Sequence, residues 1–195
     1  ARFGEIRGVT RLSLETIPVR NTDVFTKQES VYWADPNVFE LLELPVLHGD
    51  LRQALSRPDG AVLTRGMAIK YFNADDVLGR RIEIDGQPMT VNAVIRDLPA
   101  HRTELETGIF ASGLAAKSEL AGMDAAPVDG NGFAVTSLTY FRLAPGTSPA
   151  PIEAGGFSVM DAIWTARPPA MKVTVIPLRL DRVHRVPLLA EHMLA

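Results

Sequence analysis

Alternation of apolar and polar positions recurs along this chain and outlines most of its predicted elements. In "VTRLSLETIPV" (9–19), Leu12 and Leu14 fall on one face, which predicts a strand. "TKQESVYWA" (26–34) predicts a second strand, ending at Trp33. The period then lengthens. In "DPNVFELLEL", Val38, Leu41 and Leu42 form an apolar stripe with Phe39 beside them, and Pro45 ends the run. Asp35 as N-cap and Pro36 at the first helical position predict a helix over 36–43. "GAVLTR" (60–65) predicts a short buried strand, with Thr64 capping a helix that runs to Phe72. Within that helix Met67 with Tyr71, and Ala68 with Phe72, are i,i+4 pairs that face a core. The sharpest pattern is "RRIEIDGQPMTVNAVI" (80–95). Ile82 and Ile84 alternate with polar residues, Asp85-Gly86 supplies a type I′ turn, and Met89, Val91, Ala93 and Ile95 alternate on the return.

From Leu98 to about Phe133 the periodicity fades, leaving an expected helix at 112–121 and a Gly- and Pro-bearing loop. "TSLTYFRL" (136–143) alternates as a strand, and "APGTSPAP" reads as a turn or linker. Residues 151–166 suit a helix interrupted by Gly155-Gly156, and "MKVTVIPLRL" (171–180) is a last strand. The order of elements predicts an α+β fold with mixed sheets, one β-rich lobe that contains the hairpin interrupting a βαβ-type lobe.

Composition narrows the function more than the fold. With 195 residues, 46% hydrophobic and 22% charged, the chain can bury a real core. A net charge of −3, from 20 basic and 23 acidic residues well mixed along the sequence, offers no basic field for nucleic acid. The absence of cysteine removes disulfides, thiol catalysis, iron–sulfur clusters and Cys-ligated zinc. No run of about 18 apolar residues is present to span a membrane. A start at "ARFGEIRGVT", without Met or signal peptide, is what an excised fragment would show, any membrane segments then lying outside it.

The candidate chemistry fails motif by motif. "GAVLTRGMAIKYF" (60–72) has the strand–glycine–helix outline of a phosphate loop. Yet five residues separate Gly60 from Gly66, and Met67-Ala68 stand where Lys and Ser/Thr are needed. His101 lies near Asp97 and Glu104, but Pro99 breaks any helix that would align them, and no HExxH array occurs. His184 and His192 sit in a polar-flanked tail and lack spaced acidic partners. Ser112 and Ser118 sit in neither G-x-S-x-G nor S-x-x-K. The pairs Glu104/Glu106 and Asp75/Asp76 read as surface acids. No catalytic, cofactor-binding or metal-ligating residue is assigned, no cofactor is expected, and partner-binding residues cannot be named.

"SVYWADPNVFELLELPVLHGDLRQAL" and "GAVLTRGMAIKYFNADDVLGRRIEIDGQPMTVNAVIRDLPAHRTE" together resemble the MacB-type periplasmic core domain of FtsX-like ABC transporter permeases. The matching positions are Asp35, Pro36, Phe39, Leu47, Gly49, Leu63, Thr64, Ala68, Phe72, Leu78, Gly79, Gly86, Val91, Val94, Asp97 and Pro99. "SLTYFRLAPGTS" and "VIPLRLDRVH" resemble the family's returning strands. Asn73 departs from the family's Gly after Phe, and Ala93 from the Gly of its V-x-G-V run. The resemblance implies a domain between two membrane helices, on the periplasmic or extracellular face of the bacterial cytoplasmic membrane. It implies a discontinuous porter-like lobe (1–33 and 134–182), an inserted lobe (34–133) and a tail (183–195) leading to a membrane helix. It also implies a cytosolic ATP-binding subunit or domain as partner, a permease dimer, a possible periplasmic partner protein and no catalysis in this domain. Arg179, Arg182 and Arg185 would lie near the second membrane helix, where anionic headgroups are one alternative contact. Two rival readings are a stand-alone ligand- or peptide-binding module and a hydrolase using Asp97, His101 and a serine.

Overall fold

A computed structural model of the chain describes residues 4–21, 24–98, 105, 107–125, 137–148 and 150. Its elements in order are β1 (Ile6–Asn21), β2 (Val24–Ala34), α1 (Val38–Leu41), β3 (Val46–Gly49), α2 (Leu51–Ala54) and β4 (Gly60–Thr64). They continue with α3 (Arg65–Phe72), β5 (Arg81–Ile84), β6 (Gln87–Ile95), β7 (Ile109–Ser112), α4 (Glu119–Ala125) and β8 (Ser137–Leu143). The eight strands form one mixed sheet, as an α+β reading requires.

The pairings close on themselves: β1 joins β2, β2 joins β7, β7 joins β4, β4 joins β6, β6 joins β5, and β5 returns to β1. Two contacts are parallel (β2–β7 and β4–β6) and the others in the ring antiparallel. The long strand β1 branches. Leu12 and Ser13 pair with β2 and β8 together, whereas Val19 pairs with β2 and β5 together, so β8 and β5 share the edge opposite β2. The first half of β1 therefore leaves the ring as a ribbon with β8.

Burial follows the two faces. One core cluster takes residues from all six ring strands, including Val19, Trp33, Leu63, Ile84, Val91 and Ile109, and is covered by Ala68, Tyr71 and Phe72 of α3 and Leu120 of α4. The other holds Leu12, Tyr32, Val62, Ile95 and Phe110 beneath α1 and α2. Phe110 stacks on Tyr32 at 5.6 Å between ring centroids and meets Phe39 edge-on at 5.5 Å. All five residues of β4 are buried, so "GAVLT" has apolar or small side chains on both faces rather than an alternation.

The predicted β4–α3 unit and the β5–β6 hairpin are present, and Asp85 (φ 50°) with Gly86 (φ 75°) makes the expected turn. Leu12 and Leu14 do share a face, but only Leu12 is fully buried. Two local expectations are corrected. The helix expected over 36–43 is one turn, Val38–Leu41, with Asn37 at its N-cap position; Asp35 does not cap it because its carboxylate is bound to Arg11. The helix expected at 112–121 gives way to β7 through Ser112 and to α4 from Glu119, where Ser118 Oγ accepts from Leu120 N–H at 3.1 Å. β3 and α2, four residues each, are too short to carry a period. The helix expected at 151–166 and the strand at 171–180 lie outside the described residues.

Candidate functional site

The stretch that most resembles a ligand loop is the start of α3. Thr64 Oγ1 accepts from Met67 N–H at 3.4 Å, and Asp97 Oδ1 accepts from Gly66 N–H at 2.6 Å. Two side chains thus occupy amides that a phosphate would need, and the Asp97 carboxylate supplies the negative charge that a helix start favours. A Cβ at Gly66 would stand 2.9 Å from Asp97 Oδ1, so the glycine leaves room for the carboxylate to approach the helix start. At the other end of α3, Asn73 takes the left-handed conformation (φ 55°, ψ 29°), which asparagine tolerates in place of glycine.

Two polar clasps are built elsewhere. On the α4 side of β1, the Arg11 guanidinium bridges two acids. Its Nε and Nη2 donate to Asp35 at 3.0 and 2.9 Å, and its Nη1 and Nη2 donate to Asp124 at 2.6 and 2.9 Å. These bonds, to Asp124 first and then Asp35, raise the Arg11 pKa further above its ordinary value and hold the Asp124 carboxyl below its own. One step along the same face Ser13 Oγ donates to Glu119 of α4, and Trp33 Nε1 donates to Glu15. The second clasp joins α3 to β2. Glu29 Oε1 accepts from Lys70 Nζ at 2.5 Å and from Tyr71 OH at 2.8 Å, with the Glu29 side chain 10% exposed. Burial and the neighbouring carboxylate push the Tyr71 phenol well above its usual range. Asn21 of β1 adds a bond from Nδ2 to the Tyr71 carbonyl.

An open hollow of about 340 Å³ is lined by Pro18, Arg20, Thr26, Glu83, Asp85, Gly86 and Lys117. Its charges are already matched, Arg20 with Glu83 at 2.7 Å and Lys117 with Asp85 at 3.4 Å. It lacks the enclosed apolar walls of a small-molecule site. The hydrolase constellation is not brought together among the described residues. Asp97 caps α3, Ser112 Oγ donates to the Leu55 carbonyl at 3.0 Å and Ser118 caps α4, while His101 lies outside the described residues. His48 sits on β3 and weakly supports the depression of Asp75, whose carboxyl is lowered chiefly by its bond from Arg65. Among the described residues no group of His, Cys, Asp or Glu is arranged to hold a metal, and no helix is long and apolar enough to cross a membrane. The sequence reading missed both clasps. The only signal for them was charge on the predicted strand faces, Arg11 on one and Glu29 on the other.

The family described as MacB-like periplasmic core domain matches residues 2–155. No curated protein matches. The fold is shared with solved structures, among them the following three. A domain assigned to a permease protein of Porphyromonas gingivalis aligns with a TM-score of 0.61 at 20% identity, over 82% of this chain and 65% of its own. The periplasmic region of MacB from Actinobacillus actinomycetemcomitans aligns at 0.61 and 14%, over 83% and 69%. The extracellular domain of the noncanonic ABC-type transporter YknZ from Gram-positive bacteria aligns at 0.56 and 11%, over 82% and 76%. The chain thus spans somewhat under two thirds of the length of the first of these, at 65%.

Proposed function

The chain belongs to the family of MacB-like periplasmic core domains of ABC transporter permeases, and on that premise we propose that it works as a non-catalytic, force-bearing ectodomain. In this reading ATP is hydrolysed by a cytosolic subunit or domain, and the displacement of membrane helices reaches this domain through its covalent ends. The domain passes the displacement, as a nearly rigid body, to a substrate being exported or extracted or to a periplasmic partner. Two copies would act together in a permease dimer.

The supporting observation is the position of β1. It pairs with β2, β5 and β8, and Arg11 and Ser13 tie it to α4 while Asn21 ties it to α3. A displacement entering at Ile6 therefore moves the ring, both helices and the ribbon together, since close-packed interiors deform little. The division into a discontinuous porter-like lobe (1–33 with 134–182) and an inserted lobe (34–133) is part of the proposal; the pairing of residues 6–13 with 137–143 supports it.

Isothermal calorimetry of the isolated chain against ATP with magnesium tests the absence of a nucleotide site. No binding heat is expected up to millimolar nucleotide, and a micromolar dissociation constant would reject the reading. In the full permease, Arg11→Ala with Ser13→Ala should uncouple ATP hydrolysis from transport without abolishing hydrolysis. Unchanged coupling would count against transmission through β1.

A further inference from the structure

We propose that α4 is a hinged cover: it opens from the six-strand ring as a separate unit, pivoting at Ser118, while the ring, β1 and α3 stay folded. Of the seven residues of α4 only Leu120 is fully buried, with Met123 partly packed beside it. By contrast α3 buries Ala68, Tyr71 and Phe72, and α1 buries three of its four residues. A helix of seven residues does not hold itself together in water. The sheet therefore maintains α4, and its opening is also its melting. Gly122 lowers the helical preference further, and not to avoid a clash: nothing beyond its own helix lies within 4 Å of a Cβ added there. The segment just before α4 is fixed separately. Lys117 Nζ donates to the Asp85 carbonyl at 2.6 Å, and Ser118 N–H to the Ala115 carbonyl at 2.9 Å, so the pivot stays in place.

The floor beneath is complete without its cover. Among the described residues α4 is tied to β1 at two points, Asp124 to Arg11 and Glu119 to Ser13. When Asp124 leaves, Arg11 keeps Asp35 through its backbone N–H, Nε and Nη2, at 2.8, 3.0 and 2.9 Å. Trp33, in the same core cluster as Leu120, keeps its Nε1 bond to Glu15. Gly113 N–H stays on the Ala34 carbonyl at 2.7 Å, so β2 and β7 remain joined. Both departing acids pass into water, and the Asp124 side chain is already 62% exposed. Water also reaches Ser13 Oγ where Glu119 stood. Lifting α3 would do the opposite. It would strip Glu29 of Lys70 and Tyr71, and Asn21 of the Tyr71 carbonyl, and both Glu29 and Asn21 are buried.

Opening bares the socket of Leu120. A Cβ added at Gly113 would stand 2.9 Å from both Leu120 Cδ1 and the Ala34 carbonyl oxygen, so this glycine keeps room for the leucine at the end of β7. The opened domain presents an apolar socket at the end of the β2–β7 pair, beside the Ser13 hydroxyl. The closed domain keeps both from solvent, since Gly113 and Ser13 are buried. The cover is a property of the isolated domain and does not depend on the force-bearing role.

Native-state hydrogen exchange on the full 195-residue chain, in steps of urea below the unfolding transition, is the test. Amides of residues 122–125 should exchange at least about 100-fold faster than those of residues 69–72 in α3, with a much shallower dependence on urea. Gly122→Ala should slow exchange in α4 about fivefold. Asp124→Ala should speed it about two- to fivefold. Equal protection and equal urea dependence in α4 and α3 overturn the proposal, because α4 would then open only when the whole domain unfolds. Free-amide rates at 122–125 overturn it as well, since nothing would then be closed. So does a fast rate that neither substitution moves, because the helix and its tie to Arg11 would not be what holds the cover.

Discussion

The two clasps are chemical opposites. At β2 one acid, Glu29, is shared by two donors in a nearly closed environment; at β1 one cation, Arg11, is shared by two acids, of which the Asp124 side chain is 62% exposed. The geometry is equally good in both, with distances from 2.5 to 3.0 Å. What differs is what remains when a partner is removed. Loss of Glu29 strands a phenol in the core and an ammonium at its rim, with no water to replace the carboxylate fully. Loss of Asp124 leaves a guanidinium that still has Asp35 and solvent. Equal hydrogen bonds therefore carry unequal stability, and burial decides between them.

The largest separation between the clasps should come from Glu29→Ala, expected to destabilise by about 2–3 kcal/mol in urea unfolding. A loss below about 0.5 kcal/mol would mean that Lys70 and Tyr71 find other partners and that the contrast is wrong. Arg11→Ala should cost about 1–2 kcal/mol, because two acids lose their donor at a half-buried site. Asp124→Ala should cost at most about 1 kcal/mol and diminish in high salt.

The finest discrimination is by pH. Tyr71 has a folded pKa raised above the unfolded value of about 10, so its contribution is complete below that pH and is lost as pH rises beyond it. Asp124 has a depressed folded pKa, so its contribution is present above about pH 4 and is lost as pH falls. Unfolding curves of wild type and Tyr71→Phe should diverge in shape only on the alkaline limb, and those of wild type and Asp124→Asn only on the acid limb.

The two helix starts show how far the sequence could be read. Both carried a capping residue before an apolar stripe. Thr64 caps α3 as its position predicts, and the hairpin that follows was equally legible, because its signals are local: a cap, a turn dipeptide and an alternation. Asp35 carried the same local signal and does something else, because Arg11, 24 residues earlier, is brought alongside by the β1–β2 pairing and takes the carboxylate. The same limit hid β7, whose four residues are buried on both faces and so show no alternation. The positions that carry the family resemblance include the turn glycines, Thr64 and Asp97. The structure explains the last two, which serve the same helix start from either side. The clasps were not legible, since each joins charges from segments far apart in sequence.

The 16 residues of β1 form one uninterrupted strand, about 53 Å from end to end at 3.3 Å per residue. No loop stands between the part that pairs with β8 and the part that pairs with β5, so there is no joint about which ribbon and ring could swing. Reorientation of one against the other must be taken up as torsion along a single backbone, spread over its whole run and restored when the load is removed.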